Sequence, residues 1–149
     1  MQYRHVQWGA IFVPVALAAG LAIGVMVTVP DDDGPAWITP VVTIGLVVLL
    51  VAVALMSRLE VTVDQDSVTA AFGFGRPHRV IQLDDVANVR QVRNNFWYGF
   101  GLRKVRNGWM YNVWGLDAVE LELAGGDVFR IGTDEPEKLH AAITLALTT

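Results

Sequence analysis

The chain has 149 residues, 53% of them hydrophobic, a net charge of −4 and no cysteine. Without cysteine there is no disulfide, thiolate nucleophile or Cys-ligated metal, and the acidic balance argues against nucleic acid, which calls for a basic domain. The average conceals a break at residue 57: before it stand mostly Val, Ala, Leu, Ile and Gly, and from Arg58 onward charged and apolar residues alternate.

Two uncharged stretches come first, residues 6–30 and 34–57, divided by Asp31, Asp32 and Asp33. Each covers the roughly 20 apolar residues that a helix needs to cross a hydrocarbon core of about 30 Å. Residues 1–57 are therefore expected to form a two-helix transmembrane hairpin, with spans near 8–30 and 36–57. The first run is longer than the apolar core of a signal peptide and its basic flank is thin, so the hairpin is expected to stay uncleaved. Arg4 precedes the first span and Arg58 closes the second, while the connecting loop has neither Lys nor Arg. The positive-inside rule then predicts a multi-pass plasma-membrane protein with both termini in the cytoplasm. Trp8 and Trp37 fall where interfacial aromatics belong, and Pro30 and Pro35 punctuate the turn.

Within the first span, Ala16, Gly20 and Gly24 recur every four residues. Small residues at that spacing let helix backbones approach closely in lipid. They are expected to pack against the second span, with the seam of a homo-oligomer as the alternative. No ionisable residue lies within either span, which argues against transport or a proton relay there.

From Arg58 the period changes to two. Leu59, Val61 and Val63 alternate with Glu60, Thr62 and Asp64, the pattern of a half-buried strand. Val68, Ala70 and Phe72 begin a return strand, residues 79–83 a third and 86–92 a fourth. Val119, Leu121 and Leu123 mark another, with Gly125 and Gly126 as the turn into 128–131. At the end, Thr133 or Asp134 caps a helix with Pro136 in its first turn and Leu139, Ile143 and Leu147 on one face. Antiparallel strands followed by one C-terminal helix predict an α+β unit over residues 58–149, an open barrel plugged by the helix.

Two spans followed by the stretches IQLDDVANV, YGFGLR, GWMYNV, DAVELEL and FRIGTDEPEKLHAAI resemble the bacterial PH-like membrane proteins, small pleckstrin-homology-type domains tethered to membrane helices. The resemblance covers about 90 residues and rests on element order and the terminal helix. It implies a bent antiparallel sheet of seven strands capped by a helix, and it carries no ligand-binding residues over to this chain.

Between Asp85 and Asp117 there is no acidic residue, whereas Arg90, Arg93, Arg103, Lys104 and Arg106 share the segment with half of the fourteen aromatics. Basic residues interleaved with Trp and Tyr suit a membrane surface, where cations meet anionic head groups and rings sit at the interface. Trp97 and Tyr98, in a glycine-flanked loop, complete the candidate surface for an anionic lipid or a protein partner; the competing reading buries the aromatics in two strands. Catalytic signatures are missing. The Gly-Phe-Gly copies at 73–75 and 99–101 lack the continuation of a phosphate loop, His5, His78 and His140 are scattered, and Ser57 and Ser67 have no nucleophile setting. Glu120 and Glu122 share a strand face and read as a solvated sheet surface. The expectation is a non-catalytic binding or scaffolding module at the membrane, needing no cofactor or metal; the alternative is an assembly subunit that oligomerises through its hairpin.

Overall fold

The alternating stretches fold as strands in the computed structural model, which describes residues 2–28, 35 and 37–148. In chain order the elements are β1 (Tyr3–Trp8), α1 (Phe12–Thr28), α2 (Ile38–Met56), β2 (Arg58–Val63), β3 (Ser67–Phe72), β4 (His78–Gln82), β5 (Val86–Arg93), β6 (Gly101–Val105), β7 (Gly108–Asn112), β8 (Asp117–Leu123), β9 (Val128–Gly132) and α3 (Pro136–Leu147). The connection at 29–34, with Pro30 and the three aspartates, lies outside the described residues.

The protein is α+β, with two sheets where one bent sheet of seven strands was expected. The first runs β1-β2-β3-β4, antiparallel throughout; the second runs β5-β8-β9-β7-β6 and is mixed, because β7 lies parallel to β9. Alternation explains the first sheet directly: Leu59, Val61, Val63, Val68, Ala70 and Phe72 face inward from β2 and β3. They meet Tyr111, Val119, Leu121, Phe129 and Ile131 of the second sheet in one core. Leu139 and Ile143 of α3 are fully buried in it, each worth about 1.5–3 kcal/mol of burial. Through them α3 reaches both sheets, touching β2 on one and β5 and β8 on the other.

β1 corrects the expected boundary at residue 57. Residues 3–8 pair with β2 along its whole length, from Tyr3 opposite Val63 to Trp8 opposite Arg58. The helices are thus an insertion between two neighbouring strands of the sheet. Trp8 ends a strand instead of opening a helix, and α1 starts only at Phe12 because the chain first turns through Gly9 and Ala10. At 17 residues α1 is apolar but short; α2, with 19, is long and apolar enough to cross a membrane.

The helices pack on each other with Ala19 and Val53 buried between them. Ala16 borders a cavity that α1 and α2 share, whereas Gly20 and Gly24 are exposed, with open space where a Cβ would stand. The expected packing of all three against the second helix is therefore not what forms. A four-residue step overshoots a helical turn, so the stripe rotates out of the contact as it climbs.

Candidate functional site

Both helices join the domain at one end of the first sheet, where Trp8 and Arg58 are register partners and the Gly9 N–H donates to the Ser57 carbonyl at 2.7 Å. The β3–β4 turn lies at the same end. Its Gly73 N–H donates to the Arg58 carbonyl, and a Cβ on Gly73, which has φ +51°, would stand 2.6 Å from the Leu55 carbonyl oxygen at the foot of α2. Only glycine permits that turn to close against the helix.

The second sheet brings its own loops to this end. Gln7, buried in β1, donates from Nε2 to the Trp114 carbonyl, and Gly9 sits so near Val113 that a Cβ would meet its carbonyl oxygen at 2.7 Å. Residues 113–116 in turn hold the 94–100 segment: the Asn94 N–H donates to the Leu116 carbonyl, and Phe100 stacks on Trp114 with ring centres 5.5 Å apart.

Aromatic side chains crowd this helix-proximal end. Phe74 and Trp97 are each 89% exposed; Trp8 and Phe96 are about two-thirds exposed, and Tyr98 and Trp114 are part-covered. Local hydrogen bonds, one to a side chain and one within the backbone, hold the Trp97 turn in shape. Asn95 Oδ1 accepts the Trp97 N–H at 3.2 Å, and Gly99, at φ +66°, donates its N–H to the Phe96 carbonyl. Several large exposed rings gathered at one end of a domain make that end a candidate interaction surface.

Beneath the aromatic turn lies a charge ladder across three strands. Arg90, Glu120 and Arg130 stand directly opposite one another on β5, β8 and β9. Glu120 is 1% exposed, and both arginines donate to its carboxylate, Arg90 from Nε at 2.7 Å. Burial pushes the Glu120 carboxyl up, and the hydrogen bonds from Arg130 and Arg90 overcome it, leaving the group below its ordinary value. Glu120 is thus no solvated surface residue: two neighbouring arginines cover it. Arg130 continues upward, donating to Asn94 Oδ1 at 3.1 Å and lying 5.9 Å from the centre of the Tyr98 ring. The ladder ends under the aromatic turn.

The basic residues singled out in the sequence do not form one patch. Arg90 is committed to Glu120, and Arg93 stands 3.4 Å from Asp117. Arg103 belongs to the aromatic end, donating to the Phe100 carbonyl at 2.9 Å. Lys104 and Arg106 lead away from it: β6 leaves that end at Gly101, and Val105 lies roughly 13 Å further along the strand. Trp97 is exposed and Tyr98 only part-covered, whereas Tyr111 is buried. Phe74 was missed; its signal was a large ring held between two turn glycines, where no strand or helix offers it cover.

At the foot of the hairpin Trp8, Phe12, Ala16, Leu50, Val53 and Ala54 line an apolar cavity of about 610 Å³. On the far side of β1, His5 contacts Asp134 at 2.6 Å and Glu135 at 3.5 Å, tying the first strand to the start of α3. Burial and those two carboxylates push the neighbouring Tyr3 hydroxyl up to about 12. Among the described residues no three His, Asp or Glu side chains are grouped as metal ligands. No protein-family model matches the chain, and neither does any curated protein.

Proposed function

We propose that the chain is a membrane-anchored, PH-like binding module that holds its aromatic end against the cytoplasmic leaflet of a bacterial plasma membrane and engages lipid head groups or a partner there. The observation that carries this reading is positional: Trp8, Phe74, Phe96 and Trp97 are exposed at the end of the domain from which the two apolar helices depart. If α1 and α2 enter a bilayer, these rings arrive at the depth where Trp and aromatic anchors are enriched. Arg103 lies at the same end to meet phosphates, whereas Arg58, 6.0 Å from the Trp8 ring centre, is already held by Glu60 at 2.6 Å. Arg4 and Arg58 flanking the hairpin support a cytoplasmic domain by the positive-inside rule. The PH-like assignment rests on the two stacked sheets closed by a C-terminal helix. Tethering keeps the local concentration high, so weak contacts suffice.

The chain has no native cysteine, so single cysteines report cleanly. In the full chain embedded in nanodiscs, an environment-sensitive dye at Phe74→Cys or Trp97→Cys is expected to be shielded from aqueous iodide and quenched by shallow nitroxide lipids. The same dye at Gly125→Cys, in the β8–β9 turn, should remain open to iodide. Equal iodide access at all three sites would sink the membrane-facing reading.

A second reading makes the hairpin an assembly contact. One observation favours it: Gly20 and Gly24 face away from α2, leaving a smooth face free on α1.

A further inference from the structure

α3 closes one seam between the two sheets; the seam between β4 and β6 stays open. β4 pairs only with β3, and β6 only with β7, so among the described residues each presents a free edge of backbone donors and acceptors. Two adjoining cavities of about 140 and 240 Å³ lie between these edges, both bordered by Arg79 and Trp109. Leu102 and Tyr111 complete the first; Lys104, Asn107, Gly108, Asp127 and Val128 complete the second. Leu102 and Trp109 are exposed, forming an apolar floor. The Arg79 guanidinium lies 5.5 Å from the centre of the Phe129 ring, at the mouth of the core.

Charge separates this seam from the other sheet edges. On β1, Arg4 is taken by Glu60, and on β5, Arg90 is taken by Glu120. Arg79 and Lys104 have no carboxylate partner among the described residues, and they converge on one cavity. Cations on edge strands repel the like-charged edges of other copies. That role alone gives no reason for the exposed apolar floor beside them.

We propose that the seam takes an extended acidic peptide, added as a strand along β6, with a carboxylate against Lys104 and Arg79 and an apolar side chain over Leu102 and Trp109. Strand addition supplies affinity through the backbone, and side chains on alternate positions supply specificity. Leu102 and Lys104 are two residues apart on one face of β6, so the partner motif alternates likewise, an apolar and an acidic residue separated by one. The inference stands whether or not the aromatic end meets lipid.

The test uses the full chain in neutral phosphatidylcholine nanodiscs, titrated with a fluorescein-labelled peptide of about eight residues, enough to cover β6, that alternates glutamate with valine. Its lysine–valine counterpart and a version N-methylated on alternate amides are the controls. The glutamate peptide is expected to bind with an affinity that falls with salt, the lysine peptide not to bind, and N-methylation to weaken binding at least tenfold. Arg79→Glu with Lys104→Glu should lose at least tenfold, and the milder Arg79→Gln with Lys104→Gln at least threefold with the melting temperature unchanged. Indifference to N-methylation would overturn strand addition, and indifference to both charge variants would overturn the site. Absence of peptide binding overturns the proposal outright. If phosphatidylserine nanodiscs then shield Arg79 and Lys104 where neutral ones do not, lipid is the ligand of the seam.

Discussion

Glu120 keeps its charge in a buried position because Arg90 and Arg130 flank it in register, one on each neighbouring strand. Removing one partner of such a buried pair costs several kcal/mol, since the remaining charge is left without compensation. Here Arg90 is more than half exposed and water eases the loss, so Glu120→Gln is expected to destabilise the fold by about 1–3 kcal/mol. The sign of the pH dependence follows from the lowered carboxyl of Glu120. Its contribution is fully present above the unfolded value of about 4.3 and fades as pH falls through the lower folded value. Thermal melts of wild type and Glu120→Gln should therefore differ most near neutral pH and draw together below about pH 4. A gap that stays constant down to strongly acidic pH would mean that the ladder holds its residues by packing and not by charge. Because Arg130 also carries Asn94 and Tyr98, the same substitution should loosen the aromatic turn.

At the scale of elements, β1 decides how the molecule can be divided. A chain beginning at residue 58 strips β2 of one of its two partner strands and leaves the backbone edge of Leu59, Val61 and Val63 bare, an invitation to aggregate. Trp8 and Arg58 already face each other, so joining residue 9 to 57 through an Asn-Gly turn should turn β1 and β2 into an ordinary hairpin. That hairpin-less domain is expected to be monomeric with a cooperative melt, whereas the chain from 58 should aggregate or melt well below it. Equal melts by circular dichroism would show β1 to be dispensable. The same strand marks what the sequence could and could not reveal. β2, β3, β8 and β9 were legible because their apolar residues alternate, and α3 because Leu139 and Ile143 keep a helical step. β1 was not: its inward positions include Gln7, a polar residue buried only because Trp114 accepts its amide from a hundred residues away. Nor were β6 and β7, whose basic and glycine-rich residues give no period and whose parallel pairing to β9 is a non-local choice. Of the candidate surface, the exposure of Trp97 and Tyr98 followed from their glycine-flanked turn. The division between Arg103 at the aromatic end and Lys104 with Arg106 beyond it depends on strand direction, which spacing alone does not encode.

For the whole molecule, the hairpin raises the question of copy number, and the geometry allows a clean answer. Ala19 faces α2 and is buried there; Gly20 and Gly24 face away, with nothing near their Cβ positions. Leucine at those two glycines therefore leaves the α1–α2 contact intact and, within a helix, improves on glycine by several tenths of a kcal/mol per site. Ala19→Leu does the reverse, forcing the two helices apart while leaving the outer face unchanged. If copies associate through the outer face of α1, close backbone approach is what holds them, and a leucine side chain blocks it. Mass measurement of the full chain in detergent micelles should then show an oligomer for the wild type, monomer for Gly20→Leu with Gly24→Leu, and an oligomer retained in Ala19→Leu. A wild-type monomer, or an oligomer indifferent to the two leucines, removes the assembly reading. The aromatic end would then be the remaining candidate contact surface, because its exposed rings stand where the two apolar helices leave the domain.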